Sequence, residues 1–267
     1  MLVDLEKVAA IIAEIAAEEI TPRFGALSDN EIETKTGPND FVTAADRGAE
    51  EKLQKAFAGL YPGAAFVGEE SANSNPELLK NIVGQDAVWI VDPLDGTRNF
   101  VQGRPEYGTI VALVEKGEIR QGWIYAIPDG KFAMGSAGDG ASWDGEKIHP
   151  HKKSEGLLTG YRAVGNIAEP WKSSMVPKLR SRFYTDPARC SAYAYLNLVR
   201  GLRDFALYSR CHPWDHAAGI VMLHEICGRA EYLDNGGAYA PIPTQGRPLL
   251  VAGNQESWRA VKDGVTS

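Results

Sequence analysis

The segment WIVDPLDGTRNF, from Trp89 to Phe100, constrains this chain more than any other stretch. A strand of large apolar residues runs directly into Asp92; Pro93 then stops the ladder because it has no amide to donate, and Asp95-Gly96 continues the turn. Any fold that forms must bring two carboxylates and the exposed carbonyl of Leu94 to one strand end. Aspartates this close repel unless one keeps a proton or a cation lies between them, so the segment points to an acid pair or a bound metal. Oxygen-only donors suit Mg²⁺, Mn²⁺ or Ca²⁺ and not zinc. A surface turn capped by aspartates would explain the Asp-Gly pair, but it explains poorly an aspartate that ends a buried strand.

The 267 residues supply core enough for one large domain or two joined lobes. A formal net charge of −7 argues against general affinity for nucleic acid or anionic membranes. The opening MLVDLEKVAAIIAEIAAEEI is apolar at Leu5, Val8, Ile12, Ile15 and Ile20 with acids between, which predicts an amphipathic helix and not a signal peptide. No segment approaches the length of a membrane span. Cys190, Cys211 and Cys227 are odd in number and form no CxxC pattern, as expected of reduced thiols in a cytoplasmic protein.

The pattern predicts helices over about Val3 to Ile20 and Thr43 to Leu60, the second ended by the Tyr61-Pro62-Gly63 turn. Strands are expected at 64–68 and 87–91, then a hairpin over 107–127 about Lys116-Gly117 and a further pair closing at Asp144-Gly145. Gly135, Gly138 and Gly140 sit among hairpin strands, so they read as turn glycines and not as a phosphate cradle. The polar stretch His149 to Ser154 suggests a boundary between an N-terminal lobe, 1–150, and a C-terminal lobe, 151–267. The first lobe reads as α+β with antiparallel strands. The second alternates helix at 190–201, strand at 204–209, helix at 215–227, strands at 230–234 and 248–253, and a helix at 255–263.

Three further acidic motifs fall at element ends. VGEES places Glu69 and Glu70 directly after a strand, a position that by itself fits a solvent-facing loop. In PWDHAAG, Asp215 lies in the first turn of a helix and reads equally as a simple N-cap or as a functional carboxylate. Thr43 and Asp46 have capping-box spacing, and that structural role weighs at least as much as a functional one. His212 and His216 are four apart, but Pro213 interrupts the helix and no glutamate follows in the zinc-hydrolase arrangement, so both read as supporting residues. No GxSxG serine and no cysteine-histidine pair stands out for covalent catalysis.

Asp46, GEES at 68–71, DPLDGT at 92–97 and WDHAAG at 214–219, taken in order, resemble the motif set of the inositol monophosphatase family, metal-dependent and lithium-sensitive phosphomonoesterases. The resemblance implies a layered αβαβα fold, a homodimer, and a site between the lobes that holds two or three Mg²⁺, with Mn²⁺ a possible substitute. Carried over by position, Glu69, Asp92 and the Leu94 carbonyl match a first metal site. Asp92, Asp95 and Asp215 match a second, which Asp92 bridges. Thr97, hydrogen-bonded towards Asp46, orients a metal-activated water, with Glu69 a competing proton acceptor. Asp95 and the amides of Gly96 and Thr97 meet the phosphate, and Glu70 and Thr43 support from behind.

The resemblance makes the partner a small phosphorylated metabolite. Inositol-specific members carry a glutamate seven residues before the WD aspartate; here that position is Tyr208, which lacks the charge-assisted acceptor. Myo-inositol 1-phosphate is therefore a default and not a deduction, with histidinol phosphate, fructose 1,6-bisphosphate and 3′-phosphoadenosine 5′-phosphate as alternatives. Two rivals remain. A haloacid-dehalogenase-type phosphatase uses D-x-D-G-T with a nucleophilic first aspartate, but D-P-L-D-G-T is one residue longer and lies a third of the way along the chain. A catalytically idle binding protein would not need the full ligand set.

Overall fold

The computed structural model describes residues 2–27, 32–34, 41–234 and 236–267. Helix α1 (Leu5–Ile15) is capped by Asp4, whose carboxylate accepts the amides of Glu6 and Lys7. The helix runs on through a wider π-helical turn at Ala16–Ile20, where one long helix was expected. Short antiparallel strands β1 (Ile32–Thr34) and β2 (Phe41–Thr43) lead into α2 (Ala44–Leu60), which opens on the expected capping box. β3 (Ala65–Gly68), α3 (Glu69–Ser74), α4 (Asn81–Gly84), β4 (Ala87–Asp95) and α5 (Thr97–Val101) follow.

β5 (Gly108–Glu115) and β6 (Glu118–Ala126) form the central hairpin, and β7 (Lys131–Ser136), β8 (Gly140–Trp143) and β9 (Glu146–Lys147) complete a seven-stranded sheet in chain order. Lys116 and Gly117 both have positive φ, as do Asp144 and Gly145, the geometry that two-residue hairpin turns require. One expectation is corrected: this sheet is not wholly antiparallel. β3 lies parallel to β4, because α3 and α4 carry the chain back across between them.

The later elements are β10 (Thr159–Ala163), α6 (Trp171–Arg182), β11 (Tyr184–Pro187), α7 (Ser191–Val199), β12 (Phe205–Cys211), α8 (Pro213–Glu225), β13 (Arg229–Tyr232), β14 (Thr244–Ala252) and α9 (Gln255–Thr266). Their strands form a five-stranded sheet, β11-β10-β12-β14-β13, in which β14 runs antiparallel to both neighbours. β10, α6 and β11 had no counterpart in the sequence pattern. α6 packs Trp171, Met175, Val176 and Leu179 on one face, a short stripe that Pro177 in the helix interior masks in the sequence.

Burial on both faces of both sheets sets the layers. Every residue of β4 is buried; Val88 and Ile90 face the inner core, while Trp89 and Val91 pack under α1 and α2. In the second sheet Ala206 and Tyr208 turn towards α7 and α8, and Phe205 and Leu207 turn towards α6 and α9. The order is thus helices, sheet, helices, sheet, helices, the αβαβα arrangement expected. The glycine turn after β7 does cradle an anion, though an internal one: the Glu225 carboxylate accepts the amides of Gly138 and Gly140 at 2.9 and 2.8 Å. Among the described residues no helix is long and apolar enough to cross a membrane.

α7 and α8 meet at Gly219, where an added Cβ would lie 2.1 Å from the fully buried ring of Tyr195. Alanine for glycine at a compatible position adds about 0.4–1 kcal/mol of stability. At Gly219 the sign reverses, and Gly219→Ala is expected to lower the unfolding free energy by about 1–3 kcal/mol. Gly59→Ala, at an exposed site of α2 with nothing within 4 Å of the new methyl, is expected to raise it slightly. Urea-unfolding midpoints compare the two, and a stabilised Gly219→Ala protein would contradict the packing described.

Candidate active site

The end of β4 gathers its carboxylates through a bulge. Asp92 faces Ile110 of β5 and Asp95 faces Gly108, so three steps along β4 match two along its partner. In a regular strand residues three apart point to opposite faces; the extra residue returns Asp95 to the side of Asp92. The bulge is pinned by Thr109, whose hydroxyl donates to the Pro93 carbonyl at 2.8 Å, and by the Leu94 amide, which donates to Asp92 Oδ1 at 3.1 Å. Gly96 then takes a φ of +84°, and a Cβ there would lie 2.8 Å from the Glu106 carbonyl, so only glycine fits.

Asp215 arrives from the first turn of α8. The N-cap of that helix is His212, ahead of Pro213, so the simple N-cap reading of Asp215 does not hold. Carboxylate oxygens of Asp92, Asp95 and Asp215 come within 4.8 Å of one another. Three acidic oxygens at that separation, two of the residues buried, are a donor set for a hard divalent cation. Burial raises the Asp95 carboxyl above its usual range, opposed by hydrogen bonds from the Cys190 thiol at 2.8 Å and the Ala192 amide at 2.6 Å. The start of α7 thereby holds one ligand in place. Burial, then the charge of Asp95, pushes the Cys190 thiol well up, so it stays a proton donor.

Thr97 Oγ1 lies 3.0 Å from Asp46 Oδ1 and 2.9 Å from the Leu94 carbonyl. The other oxygen of Asp46 accepts the Thr43 amide at 2.8 Å and the Thr43 hydroxyl at 2.6 Å. The capping box and the contact with Thr97 are therefore one device: the same carboxylate starts α2 and aligns Thr97. Glu69, the first residue of α3, lines the cleft beside Asp92 and the Leu94 carbonyl but stands outside the tight group of three. Glu70 turns away from this cleft and lines a neighbouring cavity with Arg47 and Ser71.

Sequence reasoning missed Glu50 and Cys190. Glu50 is buried one helical turn beyond Asp46, accepts the amides of Glu70 and Ser71 at 2.8 Å each, and so fixes the start of the helix that carries Glu69. Burial raises its carboxyl, against those hydrogen bonds. Its signal was the i, i+4 spacing from Asp46 on an otherwise apolar helix face. Tyr208 lines the cleft, is 2% exposed, and its hydroxyl has no hydrogen-bond partner. Behind it His216 is fully buried and pushed down to about 3 by burial, hence neutral. Its Nε2 meets the Arg210 carbonyl at 3.3 Å and its Nδ1 the Tyr195 hydroxyl at 2.9 Å, a structural role. His212 stacks on Trp214 at 4.7 Å in the cleft wall.

Floor, cleft and layers together define a metal-binding phosphatase of the layered αβαβα class. A profile of the inositol monophosphatase family matches residues 1–261, and the chain belongs to that family. It is 30% identical to the inositol-1-monophosphatase of Bacillus subtilis over 84% of this chain and 80% of that one. It is 32% identical to the histidinol-phosphatase of Mycobacterium tuberculosis over 85% and 86%. The crystal structure of the extragenic suppressor protein suhB from Bartonella henselae superposes with a TM-score of 0.81 at 21% identity, covering 98% of each chain, which establishes the fold.

Glu50 touches no ligand atom directly, so its removal tests positioning. Glu50→Ala is expected to raise the Mg²⁺ concentration for half-maximal binding about 10–100-fold. Isothermal titration of the metal-stripped protein reads this out, and unchanged affinity would show that α3 holds Glu69 without it.

Proposed function

We propose that this protein hydrolyses the phosphomonoester of a small hydroxylated metabolite, with myo-inositol 1-phosphate as the default substrate. The observation that carries the reading is the convergence of Asp92, Asp95 and Asp215 within 4.8 Å beside the Thr97–Asp46 pair. Asp92, Asp95 and Asp215, with Glu69 and the Leu94 carbonyl in the same wall, would hold two divalent cations of the Mg²⁺ class. When bound, such cations polarise the phosphoryl oxygens, lower the pKa of water and offset the charge of the leaving alkoxide.

The chain's own groups do the rest. The Thr97 hydroxyl donates a hydrogen bond to Asp46 or the Leu94 carbonyl, which leaves an oxygen lone pair to accept a hydrogen bond from the attacking water and set its direction. Water oxygen bonds to phosphorus as the ester P–O bond breaks, and the alcohol leaves with a proton from solvent. The water's proton passes to the Thr97–Asp46 pair. Glu69, half-buried in the same cleft, is the second candidate acceptor. The amides of Gly96 and Thr97, at the first turn of α5, receive phosphate oxygens. The unpartnered Tyr208 hydroxyl bonds a hydroxyl of the alcohol portion.

The cleft, about 300 Å³ and open at its mouth, has room for a sugar- or cyclitol-sized ester. Relatives named for inositol phosphate and for histidinol phosphate are similar to this chain to nearly the same degree. Asp92→Asn is expected to lower kcat for phosphate release by at least about two orders of magnitude. Removing the metal is expected to abolish turnover, and Mg²⁺ to restore it. Full activity in Asp92→Asn would sink the metal assignment, and a phosphate trapped covalently on Asp92 would favour the aspartyl-nucleophile route. Tight substrate binding without turnover in the Mg²⁺-loaded protein would favour an idle binding protein.

A further inference from the structure

Three exposed arginines, Arg98, Arg189 and Arg210, stand in the wall of the cleft above the acidic floor. They come from separate elements: α5, the segment ahead of α7, and β12. Elsewhere among the described residues Arg23, Arg47, Arg120, Arg203, Arg229 and Arg247 pair with carboxylates, while Arg104, Arg162, Arg180, Arg182, Arg200 and Arg259 do not, so what sets the cleft apart is that three arginines converge on one opening. Among the described residues no ion pair joins Arg98, Arg189 or Arg210 to any carboxylate; Arg210 has the imidazole Nε2 of His212 2.6 Å from its Nε. In a chain with 35 acidic residues to 28 basic ones, three such guanidinium groups around one opening need a reason.

Tyr208 supplies the second observation. It lies two residues before Arg210 on β12, is buried, lines the same cleft, and its hydroxyl has no partner within the protein. A buried hydroxyl left unpaired is costly, and a ligand in the cleft would relieve it. The planar guanidinium fork meets phosphate or carboxylate oxygens two at a time, a geometry that lysine does not offer.

We propose that this rim is a subsite for a second anionic group. The substrate is then a phosphomonoester whose alcohol portion also carries a phosphate or carboxylate, held by Arg98, Arg189 and Arg210 while Tyr208 bonds the intervening hydroxyl. The inference rests on the phosphomonoesterase reading of the floor and replaces the default myo-inositol 1-phosphate, whose alcohol portion is neutral, with a substrate class that carries a second anion. Charge balance for the floor is the competing explanation, and it predicts no discrimination between neutral and anionic alcohols.

The test measures kcat and KM with Mg²⁺-loaded protein on two matched pairs: fructose 1-phosphate against fructose 1,6-bisphosphate, and glycerol 2-phosphate against 2-phosphoglycerate. The anionic member of at least one pair is expected to show a kcat/KM about 10–100-fold higher, and the pair that responds tells phosphate from carboxylate. Arg98→Ala and Arg210→Ala are each expected to shrink that ratio about tenfold through KM, with Arg210→Lys recovering only part of it. Equal turnover within both pairs would overturn the subsite and leave the phosphatase reading standing. Arginine variants that lose activity equally on both members would assign the arginines to charge balance. No release from any of the four compounds despite bound Mg²⁺ would count against the phosphatase reading itself, and the subsite would fall with it.

Discussion

Mutual repulsion among Asp92, Asp95 and Asp215 is the constraint around which the rest of the molecule is arranged. Two unit charges within 4.8 Å of one another, as here, repel by at least about 3 kcal/mol at an effective dielectric of about 20. Three such pairs approach the whole stability of an ordinary domain, about 5–15 kcal/mol. A chain holds carboxylates in that geometry only by fixing each to rigid structure and leaving their free oxygens to a cation. The bulge in β4 fixes Asp92 and Asp95, the start of α7 donates to Asp95, and Pro213 with the first turn of α8 places Asp215. The raised carboxyl of Asp95 marks residual unfavourable burial that a divalent cation would remove.

Helix α2 plays a second, less visible part. Asp46 and Glu50 lie one turn apart on its buried face, and each reaches out of the helix to a different loop. Asp46 holds Thr97 after β4, and Glu50 holds the amides that open α3 after β3. Since β3 and β4 are parallel neighbours, their ends lie side by side, and one rigid helix sets the distance between Glu69 and the Asp92–Thr97 turn. The spacing of two acids on a helix thus becomes the spacing of the two acid-bearing loops that line the cleft.

This division explains what could be read before any coordinates. DPLDGT, GEES and WDHAAG were legible because proline, glycine and acid at strand or helix ends leave few alternatives for the backbone. The bulge was not legible: alternation alone puts Asp92 and Asp95 on opposite faces, and only pairing with β5 shows otherwise. Cys190 carried no signal, since a thiol acquires its role from the carboxylate it meets 95 residues away. The spacing of Asp46 fits a cap or a functional residue; one of its oxygens accepts from Thr43 at the cap and the other from Thr97 in the cleft. The stretch holding β10, α6 and β11 is hidden because Pro177 interrupts the short apolar stripe of Trp171, Met175, Val176 and Leu179, and a proline inside a run reads as a break.

On the reading proposed here, reaction and substrate depend on different parts of the site. The floor depends on backbone devices, a bulge, a left-handed glycine and two helix starts, and substitution there disturbs the strand ends as well as the chemistry. The rim depends on side chains alone: Tyr208 and Arg210 project from β12, whose backbone is tied to His216 through the Arg210 carbonyl whatever side chain residue 210 carries. Rim residues can therefore change without moving a metal ligand. In such a fold the choice of alcohol has to be sought in unpartnered polar groups at the mouth, because the motifs of the floor are indifferent to it.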